Sequence, residues 1–185
     1  MGAILGVWEK KLDIMRHYDA SARVYDLQYG QEQRMKMEFA LKVLHLKPES
    51  SILDVGCGTG LLFEYLSDKV RISVGVDISK NILMEAKRKL KGKDVFLIRA
   101  DADYLPFPNE IFDVVFAITL LQNMPSPSMT LREMRRVAKL RASILVTGLK
   151  KSFGFEEFRK LLKGFSLEKV WNLEDLKDYV ALLRG

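Results

Sequence analysis

A glycine-rich turn that directly follows a short apolar segment is the part of the sequence best suited to hold a ligand. Residues 52–55 are apolar apart from Asp54, and Gly56, Gly58 and Gly60 follow at alternate positions. Glycine accepts positive φ angles and lets a ligand approach the backbone closely. Free N–H groups at the start of the next helix attract a carboxylate or a phosphate. A strand, a tight turn and a helix in this order predict a site for a nucleotide-like ligand.

Two common glycine-rich motifs do not fit this turn. A dinucleotide-binding turn has the pattern G-x-G-x-x-G, and Leu61 stands where its last glycine is required. A phosphate-binding P-loop needs Gly-Lys-Ser/Thr, and no lysine follows Gly60. The ligand must therefore be indicated by residues further along the chain.

A second apolar segment, Ile72–Asp77, also ends in an acid. Asp77 follows Asp54 by about twenty residues, the spacing at which an acid meets a ribose diol in nucleotide-binding α/β sheets. A carboxylate can accept hydrogen bonds from both hydroxyls of the diol. The alternative is that Asp77 only helps to cap the helix that Ser79 opens. Its place at a strand end after the glycine turn favours the ligand.

The remaining elements extend the sheet. Residues 94–99 predict a third strand, and residues 111–117 form a nearly continuous apolar strand of the kind buried in parallel sheets. Residues 142–147 predict a fifth strand, and residues 166–171 and 178–183 predict a hairpin at the edge of the sheet. A basic helix is predicted from Ser126 or Ser128 to Lys139.

Residues 9–45 are predicted to be helical, and a Tyr-Asp pair occurs twice there, at Tyr18 and Tyr25. The aromatic face either packs on the domain or covers a ligand with a flat ring and a cation. The later part of this helical segment has apolar residues at helical spacing: Met35, Phe39, Val43 and Leu46.

Length and composition indicate a single domain of an ordinary globular protein. The chain has 185 residues, a net charge of +6 and 48% apolar residues. One cysteine and two distant histidines predict neither a disulfide nor a metal site. The longest apolar run is too short for a membrane span, and the first residues lack a signal-peptide pattern. We therefore expect a cytoplasmic protein with no membrane partner.

Four stretches together resemble the successive motifs of the class I S-adenosylmethionine (SAM) methyltransferases: residues 52–60, 74–77, 100–106 and 112–125. The resemblance implies an α/β fold, a doubly wound, mostly parallel sheet of seven strands with the last strand antiparallel. It also implies one domain over residues 1–185, in which residues 1–48 form a helical lid and residues 49–185 form the Rossmann-like core.

The resemblance assigns roles by position. The glycine turn would hold the methionine part of SAM, Asp77 the ribose, and Ile78, Asp101 and Ala102 the adenine. Thr119 and Leu120 would line the floor of the pocket, and the two tyrosines would close it. The expected cofactor-binding residues are Tyr18, Tyr25, Asp54, Gly56, Gly58, Gly60, Asp77, Ile78, Asp101, Ala102, Thr119 and Leu120. No covalent intermediate is needed, because the reaction is direct displacement at the methyl group of SAM.

The acceptor is predicted from weaker signals. Asn123 and Pro125 loosely resemble the catalytic segment of amino-methyltransferases that act on nucleic-acid bases. Residues 111–150 carry a net charge of +4 that would attract a polyanion. These signals favour an RNA base that is flipped into the pocket. More specifically, they favour an exocyclic amino group such as N4 of cytosine. The contact residues would be Arg132, Arg135, Arg136 and Lys139. The alternatives are a small-molecule acceptor, which many members of the family use, a protein acceptor, or a SAM-binding module without catalysis.

Overall fold

The sheet consists of seven strands in the order β3-β2-β1-β4-β5-β7-β6. A computed structural model describes residues 2–66 and 69–185. The strands are β1 (Ser51–Val55), β2 (Ile72–Asp77), β3 (Val95–Arg99), β4 (Phe112–Ala117), β5 (Ala138–Leu149), β6 (Leu167–Trp171) and β7 (Asp178–Arg184). The helices are α1 (Gly2–Ser21), α2 (Tyr25–Val43), α3 (Leu61–Leu66), α4 (Lys80–Lys89), α5 (Pro127–Val137) and α6 (Phe155–Leu162).

The topology confirms the predicted doubly wound sheet. Neighbouring strands from β3 to β5 pair in parallel, whereas β7 is antiparallel to both β5 and β6. From β1 the chain builds the sheet in one direction through β2 to β3, and from β4 it builds the sheet in the other direction. The switch point therefore lies between β1 and β4. Open α/β sheets bind ligands outside the carboxyl ends of their strands at such a point.

The side chains of the central strands point alternately to the two faces of the sheet, so the core has one part on each face. In β1, Ile52 packs with α2 and α3, while Leu53 and Val55 pack on the opposite face with α5 and α6. Successive side chains of a strand point to opposite faces, so a strand covered on both faces must be apolar throughout. This explains why β1 and β4 read as continuous apolar segments.

The structure corrects the predicted N-terminal helix in two ways. The helical segment breaks at residues 22–24, where Val24 N donates to Ser21 O at 3.0 Å. The buried face of α2 is also not the predicted one, since Met35 is exposed and Phe39 and Val43 are only partly buried. The face that packs on the sheet contains Gln33, Lys36, Met37 and Ala40. Its polar members have buried partners, described below, which an apolar pattern cannot reveal.

The basic helix is shorter than predicted and the strand after it is longer. α5 ends at Val137 and β5 begins at Ala138, where the sequence indicated a strand from residue 142. Ala138 pairs with Phe112, so the first residues of β5 continue the sheet before a bulge. Ser79 caps α4 as predicted, its hydroxyl accepting from Ile82 N at 3.2 Å.

Candidate functional site

A cleft opens where the carboxyl ends of β1, β2, β3 and β4 meet, and α1 closes it from above. The turns after these strands supply the predicted residues, and Lys11, Ile14 and Tyr18 of α1 form the opposite wall. The predicted cofactor residues that line the cleft are Tyr18, Tyr25, Gly56, Gly58, Asp77, Ile78, Asp101, Ala102, Thr119 and Leu120. Asp54 and Gly60 do not line it; Asp54 lines a smaller cavity beside it.

The glycine turn needs its glycines for two different reasons. Gly56, Gly58 and Gly60 all have positive φ angles, of 74°, 55° and 76°. A Cβ on Gly56 would also lie 2.9 Å from Leu120 Cδ1. The turn is held in place because the backbone N–H groups of Gly56 and Cys57 both donate to Val76 O, at 2.8 and 3.0 Å. The turn is therefore fixed to the end of β2, where Asp77 follows.

Asp77 is oriented by backbone donors from the turns after β1 and β2. Gly58 N donates to its Oδ2 at 3.0 Å, and Ser79 N donates to its Oδ1 at 2.9 Å. Burial raises the pKa of this carboxyl, and the backbone donors act in the opposite direction. Each carboxylate oxygen can accept a further hydrogen bond. Two adjacent acceptors facing the cleft suit the two hydroxyls of a ribose diol.

Asp54 presents a buried acceptor without a partner. The residue is 3% exposed, and its Oδ1 has no hydrogen-bond donor among the described residues. Burial and the neighbouring charge of Asp77 raise its pKa to about 8. An unpaired buried acceptor is costly, so this atom indicates a missing donor. The ammonium group of the methionine part of SAM has the required chemistry, and the site therefore fits this cofactor.

In each Tyr-Asp pair, the tyrosine ring lines the cleft and the aspartate bonds to residues outside it. Asp19 Oδ1 accepts from Asn81 N at 2.8 Å, at the start of α4. Asp26 Oδ1 accepts from Thr59 Oγ1 at 2.6 Å, and Asp26 Oδ2 pairs with Lys89 Nζ at 2.6 Å. The rings of Tyr18 and Tyr25 lie 5.9 Å apart between these anchors. Both aspartates therefore attach the N-terminal helices to the glycine turn and α4.

A buried polar cluster connects α2 to the floor of the cleft. Lys36 is fully buried, with its Nζ 2.8 Å from Asp178 Oδ1, 2.8 Å from Glu32 Oε1 and 3.0 Å from Thr119 Oγ1. Thr119 has a φ of 61°, unusual for a residue other than glycine, and its N–H donates to Thr147 Oγ1 at 2.8 Å. The strained turn at the floor is therefore held from two sides.

Sequence reasoning did not single out several residues of this region, among them Lys11, Ile14, Gln33 and Lys36. The two lysines read as surface charges in the sequence, because lysine is almost never fully buried unless it is paired. The only signal that could have found Lys11 and Ile14 is their spacing from Tyr18, which places all three on one face of α1.

Lys11 lies against the turn after β3. Its Nζ is 2.8 Å from Asp101 Oδ1, 2.7 Å from Asp101 Oδ2 and 2.5 Å from Asp103 Oδ2. Burial lowers the pKa of Lys11, but the hydrogen bonds and charges of the two carboxylates outweigh it and raise the value overall. The predicted adenine residue Asp101 thus already has a charged partner on α1.

The predicted catalytic pair lies partly in the cleft. Asn123 lines it, donating through Nδ2 to the hydroxyl of Tyr18 at 2.8 Å and to Thr119 O at 3.3 Å. Pro125 is half-buried and is not among the residues that line the cleft. The amide of Asn123 is therefore tied to the lid tyrosine, and the catalytic role of both residues stays a prediction.

The basic segment lies away from the cleft and is partly neutralised. Arg136 forms an ion pair with Glu133 at 2.7 Å and donates to Leu105 O and Phe107 O. Lys139 is 2.8 Å from Asp113. Both cations lie beside the amino end of β4, whereas the cleft is at its carboxyl end, about 17 Å along the strand. Arg132 and Arg135 line a shallow groove on α5. The predicted contact surface for RNA is not supported by this placement.

No helix among residues 2–66 and 69–185 is both long and apolar enough to cross a bilayer. In the same part of the chain, no group of three His, Cys, Asp or Glu side chains is arranged to hold a metal ion.

Comparison with known proteins identifies the family. Residues 53–146 match the methyltransferase domain family. The demethylmenaquinone methyltransferase of Bacillus subtilis is 29% identical over 96% of this chain and 82% of its own length. The enzyme of the same name from Bacillus licheniformis is 32% identical over 94% of this chain and 76% of its own length. A SAM-dependent methyltransferase from Aquifex aeolicus has the same fold, with a TM-score of 0.72 at 22% identity over 80% of this chain and 88% of its own. The chain therefore belongs to the class I SAM-dependent methyltransferases.

Proposed function

We propose that this methyltransferase acts on a small, largely apolar molecule with a ring hydroxyl, of the quinol type, and not on RNA. The observation that carries this proposal is the similarity to demethylmenaquinone methyltransferases, which extends over most of both chains. A further relative, from Cupriavidus pinatubonensis, is a ubiquinone/menaquinone biosynthesis C-methyltransferase, 28% identical over 93% of this chain. The position of the basic segment beside the amino end of β4, opposite the cleft, removes the main argument for RNA.

The apolar part of the cleft suits such an acceptor. Its walls include Ile14, Ile118 and Met124, together with the rings of Tyr18 and Tyr25. Burial raises the pKa of both tyrosines, so both phenols stay protonated at neutral pH. The hydroxyl of Tyr18 accepts from Asn123 and keeps its own hydrogen for an acceptor oxygen. Tyr18 is therefore a donor in this site and not a base.

The cofactor would lie along the turns of the sheet. Asp77 would bind the ribose hydroxyls, Asp54 would face the ammonium group, and Ile78, Asp101 and Ala102 would surround the adenine. Bound SAM supplies an electrophilic methyl group on a sulfonium. The protein contributes by holding the acceptor in line with that group and by keeping water away from it. α1 and α2 would serve as the lid that excludes water, because both contribute side chains to the cleft.

The test measures transfer of tritium from methyl-labelled SAM. The acceptor is a chemically reduced 2-prenyl-1,4-naphthoquinone with an unsubstituted ring carbon, and the control is the same quinol with that carbon already methylated. We expect label in the first compound, none in the second and none in RNA. Label in RNA without label in the quinol would overturn the proposal. If neither is labelled, the quinol acceptor is wrong and only the family assignment stands.

A matched pair of variants tests the acceptor side of the cleft. Tyr18→Phe removes the hydroxyl that faces the acceptor, and we expect kcat to fall about tenfold, the usual effect of losing one hydrogen bond to a reacting group. Tyr29→Phe removes a hydroxyl outside the cleft lining and should leave turnover unchanged. Equal turnover for both variants would show that Tyr18 does not contact the acceptor.

A further inference from the structure

We propose that Lys11 of α1 is a positioning residue that sets Asp101 to accept from the 6-amino group of the cofactor's adenine. The lid helix would then take part in selecting the cofactor, in addition to covering it. The inference rests on the cofactor placement proposed above, and specifically on the adenine lying beside Asp101. It adds Lys11 to the cofactor site, although Lys11 lies about ninety positions before Asp101 in the chain.

The Lys11 ammonium is built into the site. Its side chain is 6% exposed, and it is shared between Asp101 and Asp103, whose side chains are 15% and 2% exposed. Asp103 is itself fixed from the other side, because Thr130 Oγ1 donates to its Oδ1 at 2.6 Å. A surface ion pair has freedom to dissociate, but this one joins α1, the turn after β3 and the start of α5 in one cluster.

The hydrogen bonds that Asp101 forms within the described part of the chain leave it one free acceptor position. Its Oδ1 accepts from Lys11 Nζ at 2.8 Å and from Asp103 N at 3.0 Å, which uses both lone pairs. Its Oδ2 accepts from Lys11 Nζ at 2.7 Å and retains one lone pair. Asp101 also lines the cleft. The remaining acceptor position can bond one N–H of a 6-amino group, whereas a 6-oxo group has no hydrogen to donate to it.

Removing the ammonium would release this arrangement. Asp101 and Asp103 would then be two carboxylates close enough to have shared one cation, and their repulsion would turn them apart. Asp103 keeps its bond from Thr130, and Asp101 keeps its bond from Asp103 N. Asp103 is the more enclosed of the two, so we expect the side chain of Asp101, which faces the cleft, to turn. The acceptor facing the adenine would be misplaced, and the distinction between a 6-amino and a 6-oxo purine would weaken.

The same face of α1 reaches the acceptor end of the cleft. Ile14 and Tyr18 follow Lys11 at helical spacing and line the same cleft, and Tyr18 bonds Asn123. α1 thus contacts the adenine side through Lys11 and the acceptor side through Tyr18. Correct seating of the adenine would place Tyr18 for the acceptor, because both side chains belong to one rigid helix.

The experiment compares two product analogues by titration calorimetry in the absence of any acceptor. S-adenosylhomocysteine carries the 6-amino group, and S-inosylhomocysteine carries a 6-oxo group. We expect Lys11→Met to weaken binding of the first about tenfold and to reduce the preference for it over the second by a similar factor. Lys10→Met is the matched control, since Lys10 is exposed on the same helix. Lys11→Gln, which keeps a donor but no charge, replaces Lys11→Met if that variant does not fold.

The preference ratio separates positioning from a merely structural role. A general loosening of α1 would weaken both analogues equally and leave the ratio unchanged, which would overturn the proposal. Tighter binding of S-adenosylhomocysteine by Lys11→Met would also overturn it, by showing that Lys11 competes with the adenine. Asp77→Ala identifies failure of the cofactor placement itself: if that variant binds normally, the placement is wrong irrespective of Lys11.

Discussion

Replacing Lys36 by Met provides a direct test of the buried cluster that connects α2 to the floor of the cleft. Methionine keeps a long apolar stem but removes the ammonium. Glu32 keeps its ion pair with Lys177 at 2.6 Å, so the change does not isolate it. Asp178 loses the cation that lies 2.8 Å from its Oδ1; among the described residues it keeps the bond from Thr147 to its Oδ2. The variant therefore leaves a fully buried carboxylate without a counter-charge.

The expected loss follows from this geometry. Removing one partner of a buried ion pair costs about 3–5 kcal/mol, because the remaining charge stays desolvated. For a chain of this length, this corresponds to a fall in Tm of about 6–20 °C. In the double variant Lys36→Met/Asp178→Asn no charge is left unpaired. Its loss should therefore be smaller than the sum of the two single losses by about 0.5–3 kcal/mol.

The assay is urea unfolding of the wild type, both single variants and the double variant, followed by circular dichroism. Lys42→Met is the matched control, since Lys42 is exposed on the same helix, and we expect it to change the free energy of unfolding by less than about 0.5 kcal/mol. A loss below about 1 kcal/mol for Lys36→Met, or strictly additive losses in the double variant, would refute the reasoning.

Two further predictions concern Asp77 in the cleft and Asp54 in the smaller cavity beside it. Asp77→Ala removes both acceptors that face the proposed ribose, and we expect titration calorimetry to detect no binding of SAM; unchanged affinity would exclude the ribose role. The raised pKa of Asp54, about 8 from burial and the charge of Asp77, means that the folded protein binds a proton which the unfolded chain releases near pH 4. This residue's contribution to stability therefore falls as the pH rises from about 4 to about 8. Asp54→Asn should remove that decline in urea unfolding at pH 5, 6, 7 and 8, and parallel curves for the two proteins would contradict the assignment.

Most of the fold was predictable because its signals are local. The apolar runs of β1, β2 and β4, the glycine turn and the Ser79 cap each depend on residues close together in the sequence. The break at residues 22–24 and the buried face of α2 were not predictable in this way. Gln33 and Lys36 are buried only because Thr119 and Asp178, far along the chain, supply their partners.

The residues of the candidate site also divide into those with a local sequence signal and those placed by contacts between distant parts of the chain. Residues placed by the turns after the strands, such as Gly56 and Asp77, could be predicted because family motifs mark those turns. The contact of Lys11 with Asp101 could not, since it depends on where α1 crosses the sheet. The RNA acceptor was predicted partly from net charge and partly from the Asn123–Pro125 segment. Charge summed along a segment does not reveal that Arg136 is paired with Glu133, or that it lies at the amino end of β4.

The break between α1 and α2 divides the covering of the cleft into two parts with different attachments. α2 is fixed to the interior through Lys36, whereas α1 is held by Lys11, Tyr18 and Asp19 at the rim. We expect exchange of spent for fresh cofactor to open the rim contacts of α1, with residues 22–24 as the pivot, while the contacts of Lys36 persist. Tyr18 reaches Thr119 O through the side chain of Asn123 and not directly. We therefore expect substitutions in α1 to alter the rate of product release more than the geometry of the strained turn at Thr119.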